Sequence, residues 1–383
     1  MSIPRKILLA GMVAGMLSAS ALSASAEDID VAALVEQTGV VGYAGQSVWK
    51  GMQLAAEKVN ESSRLGDYKL KIEIKDAASN PATTAALATQ AAKSDAVAIL
   101  GPALSSSALA SAPIAQREKI PMIAVQSNTE GVVETGEYIY RLTAPFYTYN
   151  DLTFKHLADE GVKKVALSFI SNIPSVAGLG KDFAPKWAKE YGMEIVASEG
   201  TPFNTTDFST TIEKLVAAKP DAIGLYHIDT QLTGLITGLR RAGFEGKLFV
   251  YNINPSTLEA VGDAADGLLM SIDYSPAMSD PSSKEFTDSF RKKFDDDPTI
   301  YAANGYDAVL FLSAALEKVI KAGNKPDREN LLAAISEVAQ TGFAGASGDT
   351  TFDDKYHRDA RVNGVLVRFD KGKPNILFSG KDR

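Results

Sequence analysis

The most constraining feature of this chain is an alternation that occurs twice. Apolar runs of strand length end in polar or glycine turns, and amphipathic segments of helix length follow them. Residues 29–35 are apolar and run into Glu36-Gln37-Thr38-Gly39. Residues 45–60 then place Val48, Met52, Ala55 and Val59 on one helical face. A strand over 68–74, a helix from Asn80-Pro81 to 93, a strand over 96–100, a helix over 105–118 and a strand over 120–125 complete the first series. The second series is a strand over 164–170, a helix over 181–191, a strand over 194–198, a helix over 208–218, a strand over 221–226, a helix over 230–242 and a strand over 248–251. Apolar runs separated by helices are buried on both faces, which predicts an α/β fold with mostly parallel sheets.

The two sets join near residues 142–150. After Tyr274 comes a polar linker, 275–283, and then helices over 284–294, 301–322 and 328–339. These lack paired strands and are expected to pack on the first set. A chain that passes more than once between two α/β lobes forms a hinge. Ligands of open parallel sheets bind beyond the carboxyl ends of the strands, so a cleft between two such lobes is the expected binding place.

Composition narrows the function. Of 383 residues, 45% are hydrophobic, enough for a large core and against disorder. There is no Cys, which excludes thiolate metal sites and disulfides, and no metal or cofactor is expected. Lys and Arg number 39 against 47 Asp and Glu, a net charge of -8 that argues against a nucleic-acid partner. Residues 1–26 differ from the rest. Arg5 and Lys6 precede an apolar run over 7–17, and Ala24-Ser25-Ala26 precedes Glu27-Asp28. This is the layout of a secretory signal peptide cleaved after Ala26. The run is shorter than the roughly 20 residues that span a bilayer. Removing the leader's two positive charges takes the net charge from -8 to -10. No Cys follows the leader to carry a lipid, so a free, monomeric protein of the bacterial periplasm is expected.

Catalytic patterns are missing. The chain has no Gly-x-Ser-x-Gly elbow, no Walker loop, no His-Glu-x-x-His, and no Gly-x-Gly-x-x-Gly after its first strand. Of the three histidines, His156 and His357 read as surface residues, the latter within the charged run 353–359. His227 follows the apolar run 223–226 and is placed at the cleft, where it either contacts a ligand or fills the core. In Gly101-Pro102-Ala103-Leu104-Ser105-Ser106-Ser107, a buried strand ends and three hydroxyls open a helix. A helix N-terminus offers unpaired N–H groups and a positive dipole end, an anion seat suited to a carboxylate. The alternative is ordinary capping by one Ser. Gln126-Ser127-Asn128-Thr129 follows the adjacent strand. Two polar clusters at one sheet edge favour a ligand site.

These segments, taken in order, resemble the branched-chain amino-acid type of periplasmic binding protein, the solute receptor of an ABC importer. The similar stretches are 27–32, the Gly101–Ser107 segment with Ile120-Pro121-Met122-Ile123 after it, Gly262 to Gly267, and 343–353 with Gly345, Gly348 and Phe352-Asp353. The resemblance covers essentially the whole chain beyond the leader. It implies a type I fold: two Rossmann-like lobes joined by a three-segment hinge, with crossovers near Ala144, Tyr274 and Lys355. Lobe 1 would be 27–144 with 275–355, and lobe 2 145–274 with 356–383. It implies no enzyme activity, and permease and ATPase subunits as partners. It also implies that Ser105, with Ser106 beside it, binds a ligand carboxylate. Ser127 with Asn128 or Thr129 would bind carboxylate and amine, with Gln126 in the same loop. An aromatic in the first loop is common in the family, and Tyr43 is the nearest here, beside Ala44.

The chain departs from that pattern in the second lobe. An acid usually follows the strand that here is 248–251, to meet an ammonium group, but this chain has Asn252-Ile253-Asn254. An unpaired buried ammonium is costly. Asp229 either supplies the counter-charge or caps the helix from Thr230. The usual Tyr of the loop 172–180 is replaced by Leu179, and Tyr274 at the hinge could form an aromatic wall. The ligand is therefore expected to be an amino acid or another small carboxylate, an aromatic acid or an amide among them. Two other readings stand beside transport: a periplasmic sensor of the same fold acting on a signalling partner, and an exported hydrolase built on the Ser cluster and His227.

Overall fold

A computed structural model describes residues 26–382. The expected leader lies outside the described range except for its last residue, Ala26. The first sheet is built by β1 (Glu27–Val35), α1 (Gly42–Glu61), β2 (Tyr68–Asp76), α2 (Pro81–Ala92), β3 (Ala98–Leu100), α3 (Ser105–Arg117), β4 (Met122–Ala124) and β5 (Ile139–Arg141). Local chemistry sets these bounds. The last five residues of β1 are buried, as are all three residues of β3 and of β4. The side chain of Asn80 accepts the amides of Ala82 and Thr83 and starts α2 with Pro81 in its first turn. The five strands are parallel in the order β2-β1-β3-β4-β5.

The second unit runs α4 (Asp151–Asp159), β6 (Lys164–Ile170), α5 (Pro174–Gly178), α6 (Ala184–Glu190), β7 (Glu194–Thr201), α7 (Ser209–Ala217), β8 (Ala222–Tyr226), α8 (Asp229–Arg241), β9 (Lys247–Val250), α9 (Pro255–Val261) and β10 (Leu269–Ile272). Its parallel strands are ordered β10-β9-β8-β6-β7, so the first sheet's arrangement is repeated. The single helix expected over 181–191 is broken: a π-turn over Leu179–Phe183 joins α5 to α6.

The chain then returns to the first unit with α10 (Pro281–Phe294), α11 (Ile300–Lys321) and α12 (Arg328–Thr341). α11 lies against α1, in line with the expectation that these helices pack on the first set. The crossing is close enough to demand glycine. A Cβ on Gly51 would stand 1.9 Å from the Ala302 carbonyl oxygen, and one on Gly305 2.1 Å from that of Val48. The remaining strands are β11 (Phe343–Gly345), β12 (Gly348–Phe352), β13 (Ala360–Val362), β14 (Val365–Asp370) and β15 (Lys373–Ser379). β11 to β13 form a small antiparallel sheet, while β14 and β15 add antiparallel strands beside β10. The sequence patterning did not anticipate these five strands. The fold is α/β with mostly parallel sheets, as expected. Among the described residues no helix is long and apolar enough to cross a membrane.

Candidate ligand-binding site

The site is assembled at the carboxyl ends of β1, β3 and β4. β3 ends at Gly101, whose φ of 103° and distance to the Leu34 carbonyl leave no room for a Cβ. α3 then begins with Leu104 as its cap, and no side chain caps it. The capping alternative for the Ser cluster therefore does not hold. Instead Glu36, fully buried at the end of β1, accepts the amides of Ala103 at 2.9 Å and Leu104 at 3.3 Å. The chain's own carboxylate thus occupies the outermost amides of this helix start. The next residue, Ser105, is half-buried and accepts the Asn128 amide at 3.3 Å. Ser106 is exposed. Ser107 is buried and pairs with the Thr84 hydroxyl at 3.1 Å.

The Ser105 bond joins the two polar clusters. In the second, Ser127 is wholly buried and its Oγ has no hydrogen-bond partner. The Oδ1 of Asn128 is also buried and unpartnered. Leaving such groups unpaired costs about 1–3 kcal/mol each, which makes this loop a candidate place for a ligand. Gln126 Oε1 accepts from Asn304 of α11 at 2.5 Å, which anchors the loop to the helix layer.

Arg141 holds the loop from behind. Its Nη1 donates to the Thr129 carbonyl at 2.6 Å and to the Ser127 carbonyl at 3.3 Å. Its Nε and Nη2 donate to both oxygens of Asp359, at 2.6 and 2.8 Å, with both residues buried. Arg361 adds a longer contact to Asp359 at 3.4 Å. Arg141 and Asp359 also bridge through their backbones, extending β5. Sequence reasoning missed Arg141, Asp359 and Asn304. The available signal was an arginine closing the apolar strand Ile139-Tyr140, because a buried cation needs an anion somewhere.

Several other expectations are corrected. His227 does not point toward the cleft. It is 0% exposed, and its Nε2 meets Ser168 Oγ at 2.8 Å. Its Nδ1 meets Gln231 Oε1 at 3.1 Å, and its ring stands edge-on to Phe208. Burial lowers its pKa from 6.5 to about 4, so it is a neutral core residue. Tyr274 is no cleft wall: it is 3% exposed, bonds Thr287 at 2.8 Å and packs on Phe286. Asp353 is buried and accepts the amides of Tyr356, Arg358 and Asp359, although His357 is exposed. His156 is half-buried beside Glu160.

Tyr43 is 62% exposed at the start of α1 and meets Tyr301 edge-on. Asn252 is exposed just after β9. Asp229 is the first residue of α8, after Ile228 at the cap position. The structure therefore brings together Ser105, Ser127, Asn128, Thr129 and Gln126. No cluster of three or more His, Cys, Asp or Glu able to hold a metal occurs among the described residues.

Comparison with known proteins defines the class: a type I periplasmic binding protein, from a family of solute-binding proteins and not enzymes. The family model described as Periplasmic binding protein matches residues 28–374, so the chain belongs to that family. It is 26% identical over 330 residues to the Leu/Ile/Val-binding protein of Escherichia coli K12, covering 83% of this chain and 86% of that one. It superposes on a leucine binding protein from Thermotoga maritima with a TM-score of 0.75 and 26% identity, over 92% of this chain and 98% of that one. A solute binding protein of an ABC transporter from Rhodopseudomonas palustris BisB5, solved with 3,4-dihydroxybenzoic acid, gives a TM-score of 0.76 and 26% identity over 92% and 96%.

Proposed function

We propose that this protein is the periplasmic substrate-binding component of an ABC importer. It closes on a small organic carboxylate between its lobes and delivers it to a permease and ATPase pair. The observation that carries the ligand class is the buried, unpartnered Ser127 Oγ beside Ser105 at the start of α3. Two hydroxyl donors and the helix start suit an anion. On this reading lobe 1 is 27–144 with 275–355, and lobe 2 is 145–274 with 356–383. The second lobe contributes Asn252 and Asp229 on closure, and Tyr43 borders the mouth. The leader is removed after Ala26, and the product is a monomer that diffuses without a lipid anchor.

Titration calorimetry of the purified chain against amino acids, aliphatic and aromatic acids and their amides tests this. A carboxylate should bind and its amide should bind far more weakly. Ser127→Ala and Ser105→Ala should each weaken the acid about 10-fold or more, as loss of a hydrogen bond to a charged group does. Equal binding of acid and amide, or indifference to both variants, would remove the carboxylate from the reading.

A further inference from the structure

Val40, Tyr43, Leu109 and Phe203 are the large apolar side chains left exposed among the described residues. Tyr43 meets Tyr301, and Leu109 lies beside Gly131. Val40 is 91% exposed and Phe203 50%. Single exposed apolar residues are ordinary. These two, however, are carried on loops that are tied down. Ser79 Oγ accepts the Val41 amide at 3.2 Å and donates to the Thr38 carbonyl at 2.8 Å, and Thr38 Oγ1 donates to Asp76 at 2.8 Å. The Phe203 amide donates to Asn172 Oδ1 at 2.8 Å. Its carbonyl accepts Gln231 Nε2 at 2.7 Å, and Gln231 also holds His227.

Topology puts the two loops at matching places. Val40 follows β1, and its loop is strapped to residues just past β2, the outer strand of the first sheet. Phe203 lies two residues past β7, the outer strand of the second sheet. The chain crosses between the units after β5 and after β10, which lie on the other side of each set of parallel strands. Both loops therefore sit at carboxyl ends, which border the cleft, and away from the crossovers, where a hinge motion travels furthest. We infer that Val40 and Phe203 form an apolar latch, exposed in this form and brought together across the mouth when the lobes close. The inference rests on the two-lobe closure of the proposed function. A latch of this kind touches no ligand. It shifts the closing equilibrium, and so scales the affinity for every ligand alike.

The chain has no cysteine of its own, so a double cysteine variant of the full mature chain tests the contact cleanly. Val40→Cys/Phe203→Cys is exposed to oxidised glutathione, alone and with leucine, 4-methylpentanoate or benzoate. A disulfide needs the two Cα atoms within about 7 Å. An intramolecular disulfide should form slowly in the ligand-free chain, and about 10-fold or more faster with any of these acids that binds. Val40→Cys/Lys373→Cys, with its second thiol in the turn between β14 and β15, should not crosslink. Val40→Ser and Phe203→Ser should each weaken all binding acids by one common factor of about 5 to 10, the loss of one apolar contact from the closed form, and leave their ranking unchanged. No crosslink while both thiols react with maleimide overturns the latch, as does an unchanged affinity or an altered ranking in the serine variants. Acids that still bind in that case leave the proposed function standing. If no acid binds the unaltered chain, the carboxylate reading falls, and crosslinking of the ligand-free chain still decides the latch.

Discussion

Arg141 and Asp359 lie 218 residues apart in sequence and meet as a two-pronged ion pair, buried on both sides. The same guanidinium grips the carbonyls of Ser127 and Thr129. One side chain therefore links the strand leaving the first sheet, the segment entering the last strands, and the loop after β4.

Removing one partner should hurt more than removing both. Asp359→Asn leaves a buried guanidinium short of charge and should cost about 3–5 kcal/mol of unfolding free energy. The double variant Arg141→Met/Asp359→Leu should recover most of that in denaturant titration. Its ligand affinity should stay impaired, because Ser127 and Thr129 have lost their donor.

His227 should make the protein acid-sensitive. Its folded pKa is about 4 against an ordinary 6.5, because burial disfavours the charged ring. The unfolded chain takes up a proton below 6.5 while the native one does not. Stability is therefore lost as pH falls from about 6.5 to 4, by up to about 3 kcal/mol. His227→Gln should be less stable at pH 7 but flatter through that window in thermal melts.

Asp273 and Asp307 should act in the opposite sense. Burial raises both to about 7, and the charge of Asp307 pushes Asp273 further up. Between pH 4 and 7 the unfolded chain has released these protons and the native one holds them, so stability falls as pH rises. Asp273→Asn should raise the melting temperature more at pH 7.5 than at pH 5. An equal shift at both pH values would contradict this.

Gly305→Ala should destabilise, although Ala is the better helix former by about 1 kcal/mol. The new methyl would meet the Val48 carbonyl at 2.1 Å, backbone that cannot turn aside. A loss of several kcal/mol is expected, read as a shift in the urea midpoint, with the helix content of the folded protein nearly unchanged.

What the sequence discloses follows from the range of each signal. The β–α alternation is local, and strands such as β6 and β8 lie where the apolar runs predict. The Ser105 and Ser127 clusters were legible because both sit at strand ends, and chain order places those ends together. His227 misled because a strand end does not say which way a side chain turns. Here it turns inward to Ser168 and to Gln231, one helical turn away. The Arg141–Asp359 pair was beyond reach, since nothing near either residue specifies so distant a partner. The five late strands are short and interrupted by Gly345, Gly348, Gly364 and Gly372, which hides their period.

The pairing of α1 with α11, and of β10 with β14, bears on how the molecule comes into being. The first half cannot cover α1 until residues 300–321 exist, and the second sheet stays open until 365–379 are made. Neither half can mature on a growing ribosomal product. Nearly the whole polypeptide has to be synthesised before it can gain its final shape, and the distant pairings then make that step slow. A chain that cannot fold early remains threadable, the condition a translocation channel needs.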